Sequence, residues 1–282
     1  LHLQSYPSGH QALVNSVTNP PLVPKCLQSD PLKVAVVLDQ SASISETNWD
    51  DFRASLVTGS DSLLSILKNA NSLVSILGFG SNVSSSSGNG WHYGGSGPAA
   101  LPTNYASLIP TDRPGGTGNA TNWDAALSAV QTLNASADFD LVLFITDGAP
   151  NLILSGTQVD SYQVTLRSIE APMYAANAIK NSGTRIIAVG VGGGITGAGP
   201  NLRAISGEDK DSSYFRTADW GGLKAQLADI ANAATCTLPI EVSKTTVSVG
   251  GATATNVAGW TFAATKASGS GTITPTTPQT TT

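Results

Sequence analysis

Three short stretches carry side chains that can do chemistry together. The first is Lys33–Glu46, KVAVVLDQSASISE, where an apolar run ends in Asp39 and Ser41 and Ser43 follow at alternate positions. The second is Gly115–Asp124, GGTGNATNWD, a glycine-rich loop holding Thr117 and Thr121. The third is Thr146-Asp147-Gly148, which closes the apolar run DLVLFIT. Together they offer two carboxylates, at least three hydroxyls, and glycines that allow close backbone approach. An all-oxygen donor set of this kind suits a hard divalent cation: Mg²⁺ first, with Mn²⁺ or Ca²⁺ as alternatives. Zinc would call for cysteine or histidine, and His2, His10 and His92 are scattered outside these stretches.

For the three stretches to meet, the elements between them must bring them to one rim. Val34–Leu38, Leu73–Phe79, Asp140–Thr146 and Arg185–Val191 are apolar runs of strand length, and Tyr214–Arg216 reads as a short edge strand. Helical spacing marks Trp49–Leu67, Asn122–Leu133, Ile169–Asn181 and Trp220–Ala233. Ser45 or Thr47 can cap the first helix, and Gly183 supplies a stop for the third. Strands apolar throughout, alternating with helices, predict an α/β fold: a doubly wound, mostly parallel sheet with helices on both faces. In such sheets ligands bind outside the carboxyl ends of the strands, where all three stretches fall.

Residues 80–116, rich in Gly, Ser and Asn, form a long surface excursion. Its aromatics Trp91, Tyr93 and Tyr105, with Trp123 nearby, are candidates to frame a ligand surface, or else simply pin the loop down. Residues 1–32 read as an extended leader and 33–236 as the α/β domain. Residues 237–270 alternate and are rich in Val and Thr, predicting β strands of a small all-β segment; 271–282 is a Thr/Pro tail.

Composition narrows the partners. The chain has 282 residues, a net charge of −5 and only 12% charged residues, where an average soluble domain carries about 25%. Without a basic run or stripe, nucleic acid and anionic membrane are unsuitable partners. No apolar segment approaches the ~20 residues of a membrane span. An uncharged polar surface suits an extracellular location, and Leu1 in place of Met suggests a trimmed or mature chain. Cys26 and Cys236 flank the regular region, and their reading is one disulfide joining the ends of a domain in an oxidising compartment, against two unrelated buried thiols.

The order D-x-S-x-S, then Thr, then D-G after a buried strand resembles the von Willebrand factor A domain and its metal-ion-dependent adhesion site. TNWDAAL (Thr121–Leu127) and ITDGAPN (Ile145–Asn151) look like bacterial surface members, and the resemblance covers residues 33–234. It implies that Ser41 and Ser43 ligate the metal, that Thr121 does so directly or through water, and that Asp39 and Asp147 act mostly through water and hold the serines. One coordination position would stay open for an acidic oxygen from an extracellular protein or glycan. Thr121 is favoured over Thr117 by its register in TNW. In mammalian relatives movement of the last helix is linked to the metal site, so a Cys26–Cys236 bond would restrain that helix. The resemblance therefore implies a non-enzymatic adhesin at a cell surface or pilus, monomeric in itself, with a structural stalk module as the alternative.

Residues 237–270 resemble, more weakly, the start of an immunoglobulin-like module of Gram-positive pilins, in which Lys244 is placed as a candidate isopeptide lysine, or as a solvent-facing strand lysine. Asn82-Val83-Ser84, Asn119-Ala120-Thr121 and Asn134-Ala135-Ser136 match a glycosylation pattern and read as chance. Gly192–Gly197 fits G-x-G-x-x-G but follows a late strand, which argues against a dinucleotide site. No G-x-S-x-G nucleophile elbow occurs, and Ser41 stands where a D-x-D phosphatase needs its second aspartate.

Overall fold

The structure, a computed structural model, describes residues 16–25, 31–83, 92–94, 97–114, 118–153, 166–193 and 199–235, together with four two-residue strands beyond residue 244. Four long strands follow the apolar runs: β1 (Lys33–Asp39), β2 (Leu73–Phe79), and, further along, β5 (Leu141–Thr146) and β6 (Arg185–Val191). With β3 (His92–Tyr93), β4 (Ala99–Ala100) and β7 (Tyr214–Thr217) they form one sheet in the order β3-β2-β1-β5-β6-β7, with β4 also on β2. The β2-β1-β5-β6-β7 pairings are parallel; β3 and β4 are antiparallel to β2.

Alternate residues of each strand feed opposite faces. Val34, Val36 and Leu38 pack with α1 (Glu46–Val57), α2 (Leu63–Asn69) and α6 (Leu223–Thr235) through Trp49, Phe52, Leu56, Leu64, Leu227 and Ile230. Ala35 and Val37 face α3 (Trp123–Ala137), α4 (Leu166–Asn181) and α5 (Gly199–Ile205) through Trp123, Leu127, Val130, Ile179 and Leu202. A sheet covered on both faces explains why its strands are apolar without alternation.

The expected helix Trp49–Leu67 is two helices. Thr58 takes extended backbone, and Gly59 has φ +85°, a left-handed conformation that glycine adopts without a Cβ penalty. Ser45 caps α1 by accepting from Asn48 N–H, and Gly183, at φ +95°, ends α4 as expected. The final helix starts at Leu223; Trp220 precedes it, in the core 5.1 Å from Phe52. Sequence patterning also missed α5 and the two short strands of the 80–116 excursion.

At the other end of α3, Asn134 is buried. Its Nδ2 donates to Ser182 Oγ (2.8 Å) and Thr184 Oγ1 (2.9 Å), and its Oδ1 accepts from Phe139 N–H (2.8 Å). An amide committed in this way carries no sugar. Residues 16–25, part of the expected extended leader, lie along the start of the sheet. The Asn19 side chain pairs with β6 as a backbone would, donating to Ile186 O (2.7 Å) and accepting from Ile186 N–H (2.9 Å). Pro20 O accepts from Arg185, Lys25 pairs with Asp140 (3.0 Å), and Lys25 N–H donates to Ala234 O (3.2 Å).

Beyond the sheet, β8 (Thr245–Thr246) pairs antiparallel with β9 (Thr255–Asn256), and β10 (Thr261–Phe262) with β11 (Gln279–Thr280). Cys26, Trp91, Thr117, Cys236 and Lys244 lie outside the described residues. Among those described, no helix is long and apolar enough to cross a membrane.

Candidate metal centre

The sheet brings the three stretches to one rim. β1 and β5 are parallel neighbours in register, Leu38 opposite Ile145, so Asp39 and Thr146 close adjacent strands. Asp147 is the next residue out. Asn122 caps α3 through its Oδ1, which accepts from Ala125 N–H at 2.9 Å, and this sets Thr121 just before the helix. A Cβ placed on Gly148 would lie 3.2 Å from Thr121 Oγ1 and 3.7 Å from Ser43 Oγ. Both hydroxyls therefore fall within 4 Å of one point beside Asp147.

The hydroxyls form a directed chain. Ser43 Oγ donates to Asp147 Oδ1 at 2.7 Å, which uses its single proton. Ser41 and Ser43 are 2.9 Å apart through their Oγ atoms, so Ser41 must be the donor of that pair. Asp39 holds Ser41 through the backbone: its Oδ1 accepts from Ser41 N–H at 2.8 Å. Its other oxygen, Oδ2, accepts from Thr146 Oγ1 at 2.6 Å. Of the two expected serine-holding carboxylates, Asp147 reaches a hydroxyl and Asp39 a backbone amide.

Asp39, Ser41 and Thr146 are fully buried, Thr121 nearly so, whereas Ser43 faces solvent. Burial, reinforced by the nearby Asp147 charge, pushes the Asp39 carboxyl up to about 7 against the bonds from Thr146 and Ser41. Burial also raises Asp147. None of the four ion pairs found among the described residues involves either aspartate. Among the described residues, then, neither carboxylate has a side-chain ion-pair partner.

Among the described residues, no three His, Cys, Asp or Glu side chains gather to hold a metal. Two carboxylates and three hydroxyls gather here instead, a donor set that would suit a hard divalent ion and not zinc. The paired carboxylates would favour a cation here, and Ser43 is exposed at the rim.

Three features of the site were given no role from the sequence. Thr146 orients Asp39; its only signal was a hydroxyl residue at the strand end before D-G. Asn151 and Ser81 hold the Thr121 loop. Thr121 N–H donates to Asn151 Oδ1 (2.9 Å), Asn151 N–H donates to Thr121 O (3.0 Å), and Ala120 N–H donates to Ser81 Oγ (3.0 Å). Arg113, from the excursion, donates to Gln40 O at 3.0 Å, between Asp39 and Ser41.

The expected ligand-surface aromatics fare differently. Trp123 is a correction: it is fully buried, packed edge-on to Phe144 at 5.5 Å, because the first residue of α3 points into the sheet. It cannot meet an external ligand. Tyr93 and Tyr105 are partly buried against the core, and pin the excursion. Tyr93 donates to Ala100 O at 2.7 Å, and Lys68 Nζ lies 5.6 Å from the Tyr105 ring centroid.

The fold has solved counterparts. Proximal thread matrix protein 1 from the mussel byssus aligns at TM-score 0.51 with 17% identity, over 72% of this chain and 48% of that one. The pilus adhesin SpaC from Lactobacillus rhamnosus GG, in its open conformation, aligns at 0.51 with 18% identity, over 77% and 33%. The PilB minor pilin from Streptococcus sanguinis aligns at 0.50 with 16% identity, over 73% and 62%. The chain thus spans between a third and under two thirds of these neighbours, and the likeness is one of fold. Among curated proteins none matches significantly in sequence. A family profile for the von Willebrand factor type A domain matches residues 33–230. With most of its length matched and the parallel sheet carrying the three rim stretches, the chain belongs to the von Willebrand factor type A domain family.

Proposed function

We propose that this domain is a non-enzymatic adhesion module, acting outside the cell, that binds an external protein or glycan through a divalent cation, Mg²⁺ first and Mn²⁺ or Ca²⁺ as alternatives. One observation carries the reading: Asp39-Ser41-Ser43, Thr121 and Asp147, far apart in sequence, converge on one open rim. Ser41, Ser43 and Thr121 would hold the ion through their hydroxyls, with Asp39 and Asp147 balancing its charge, Asp147 orienting Ser43 Oγ and Asp39 holding the Ser41 backbone. When bound, the ion supplies an electrophilic position for an acidic oxygen of the partner. Two fold neighbours are by name a pilus adhesin and a minor pilin, which supports placement at a cell surface.

The reading includes a Cys26–Cys236 disulfide, supported by the Lys25 N–H to Ala234 O bond that draws the entering and leaving chain together. Binding of the purified chain to matrix-protein and glycan arrays, with Mg²⁺ and with EDTA, tests the function. Binding that is lost with EDTA and in Asp39→Ala and Thr121→Ala is the expected result. Binding indifferent to chelation and to both substitutions would overturn it. No array binding by a chain that the metal still stabilises would favour a structural stalk module.

A further inference from the structure

Thr121 is the only hydroxyl of the set that comes from neither β1 nor β5. Its place at the rim depends on how the loop before α3 is held. Residues 119–122 of that loop are each held from outside. Ala42 N–H donates to Asn119 O (3.1 Å), Ala120 N–H to Ser81 Oγ (3.0 Å), Thr121 N–H to Asn151 Oδ1 (2.9 Å), and Asn122 N–H to Gly80 O (2.9 Å). Among the described residues only Asn151 grips the threonine itself, and on both sides, since its own N–H donates to Thr121 O at 3.0 Å. Asn151 lies four residues past Asp147 on the same loop. It therefore ties two of the three metal-site loops to each other at the atoms nearest the donors.

We propose that Asn151 is the positioning residue for Thr121, holding its hydroxyl beside Ser43 and Asp147 so that the cation meets a preassembled third hydroxyl. The inference rests on the metal reading above. Partners that orient metal ligands typically change affinity about 10–100-fold when removed. Asn151→Ala deletes the bond from Thr121 N–H but leaves the backbone bond to Thr121 O, so the loop stays docked while the threonine loses its second point of fixation.

The test is Mn²⁺ titration, by calorimetry and by the loss of the free Mn²⁺ electron paramagnetic resonance signal, with folding checked by circular dichroism. Asn151→Ala should weaken Mn²⁺ binding about tenfold or more. Asn151→Asp, which keeps an acceptor in place, should retain it. In a Thr121→Val background, Asn151→Ala should add little, because its effect runs through a hydroxyl already removed. If Asn151→Ala does not fold, Asn151→Ser, whose side chain is too short to reach the Thr121 amide, carries the same comparison. Unchanged Mn²⁺ affinity, or losses from Asn151→Ala and Thr121→Val that simply add, would overturn the proposal while leaving the metal site standing. An unaltered chain that binds no Mn²⁺ would overturn the metal reading itself, and this proposal with it.

Discussion

At Asp39, burial and the charge of Asp147 act in the same direction, and the carboxyl is held up to about 7 from an ordinary 3.8. The sign of the consequence follows from linkage. A carboxyl whose folded value is raised contributes stability that is fully present below about 3.8 and is lost as pH rises through about 7. The metal-free protein should therefore lose stability across that window, as the Asp39 charge forms without a balancing cation. Mg²⁺ should restore it, so the rise in Tm on adding Mg²⁺ should be larger at pH 8 than at pH 5. A rise that is equal or larger at pH 5 would contradict this. Thr146→Val removes the hydroxyl that donates to Asp39 Oδ2 at 2.6 Å inside the protein. It should cost about 1–3 kcal/mol in urea unfolding at neutral pH, and less at low pH, where Asp39 is neutral.

Where the elements join, two glycines and one asparagine set the geometry. Gly148→Ala would place a Cβ 3.2 Å from Thr121 Oγ1, so it should weaken Mg²⁺ binding with little loss of stability. Asn134 closes the end of α3 with three bonds, and Asn134→Ala should cost roughly 2–3 kcal/mol without touching metal affinity, as urea unfolding and calorimetry would show. The long strands were readable from sequence because runs such as Val34–Leu38 and Leu141–Ile145 are buried on both faces. The break at Gly59 was not, because Leu56, Leu63 and Leu67 keep helical spacing across it and all enter one core. Two-residue strands such as His92–Tyr93 are too short to carry a period. The three stretches around Asp39, Thr121 and Asp147 were readable as neighbours because each follows an apolar run or precedes a helix; the choice of particular donors within them came from the family resemblance. Asn151 and Ser81 were not, because they act through bonds to loops 30 and 39 residues away. Trp123 was misread because its place near Thr121 in sequence says nothing of which side of α3 it faces.

Across the whole molecule, the segment 16–25 fastens the start of the sheet to the last helix, far from the metal rim at the strands' other ends. A Cys26–Cys236 bond would close a loop of about 210 residues and stabilise the fold by roughly 5 kcal/mol at most. Reduction should then lower Tm by several degrees while leaving Mg²⁺ affinity within about twofold in the unstressed protein. A Tm indifferent to reductant would contradict the bond. The central claim is that three distant loops make one cation site. Calorimetric titration of Mg²⁺ into the EDTA-treated, dialysed chain tests it most directly, alongside Asp39→Ala from the first loop and Thr121→Val from the second. The account predicts one site per chain, lost in Asp39→Ala and weakened in Thr121→Val. Absence of a binding isotherm, or one unchanged by both substitutions, would contradict it.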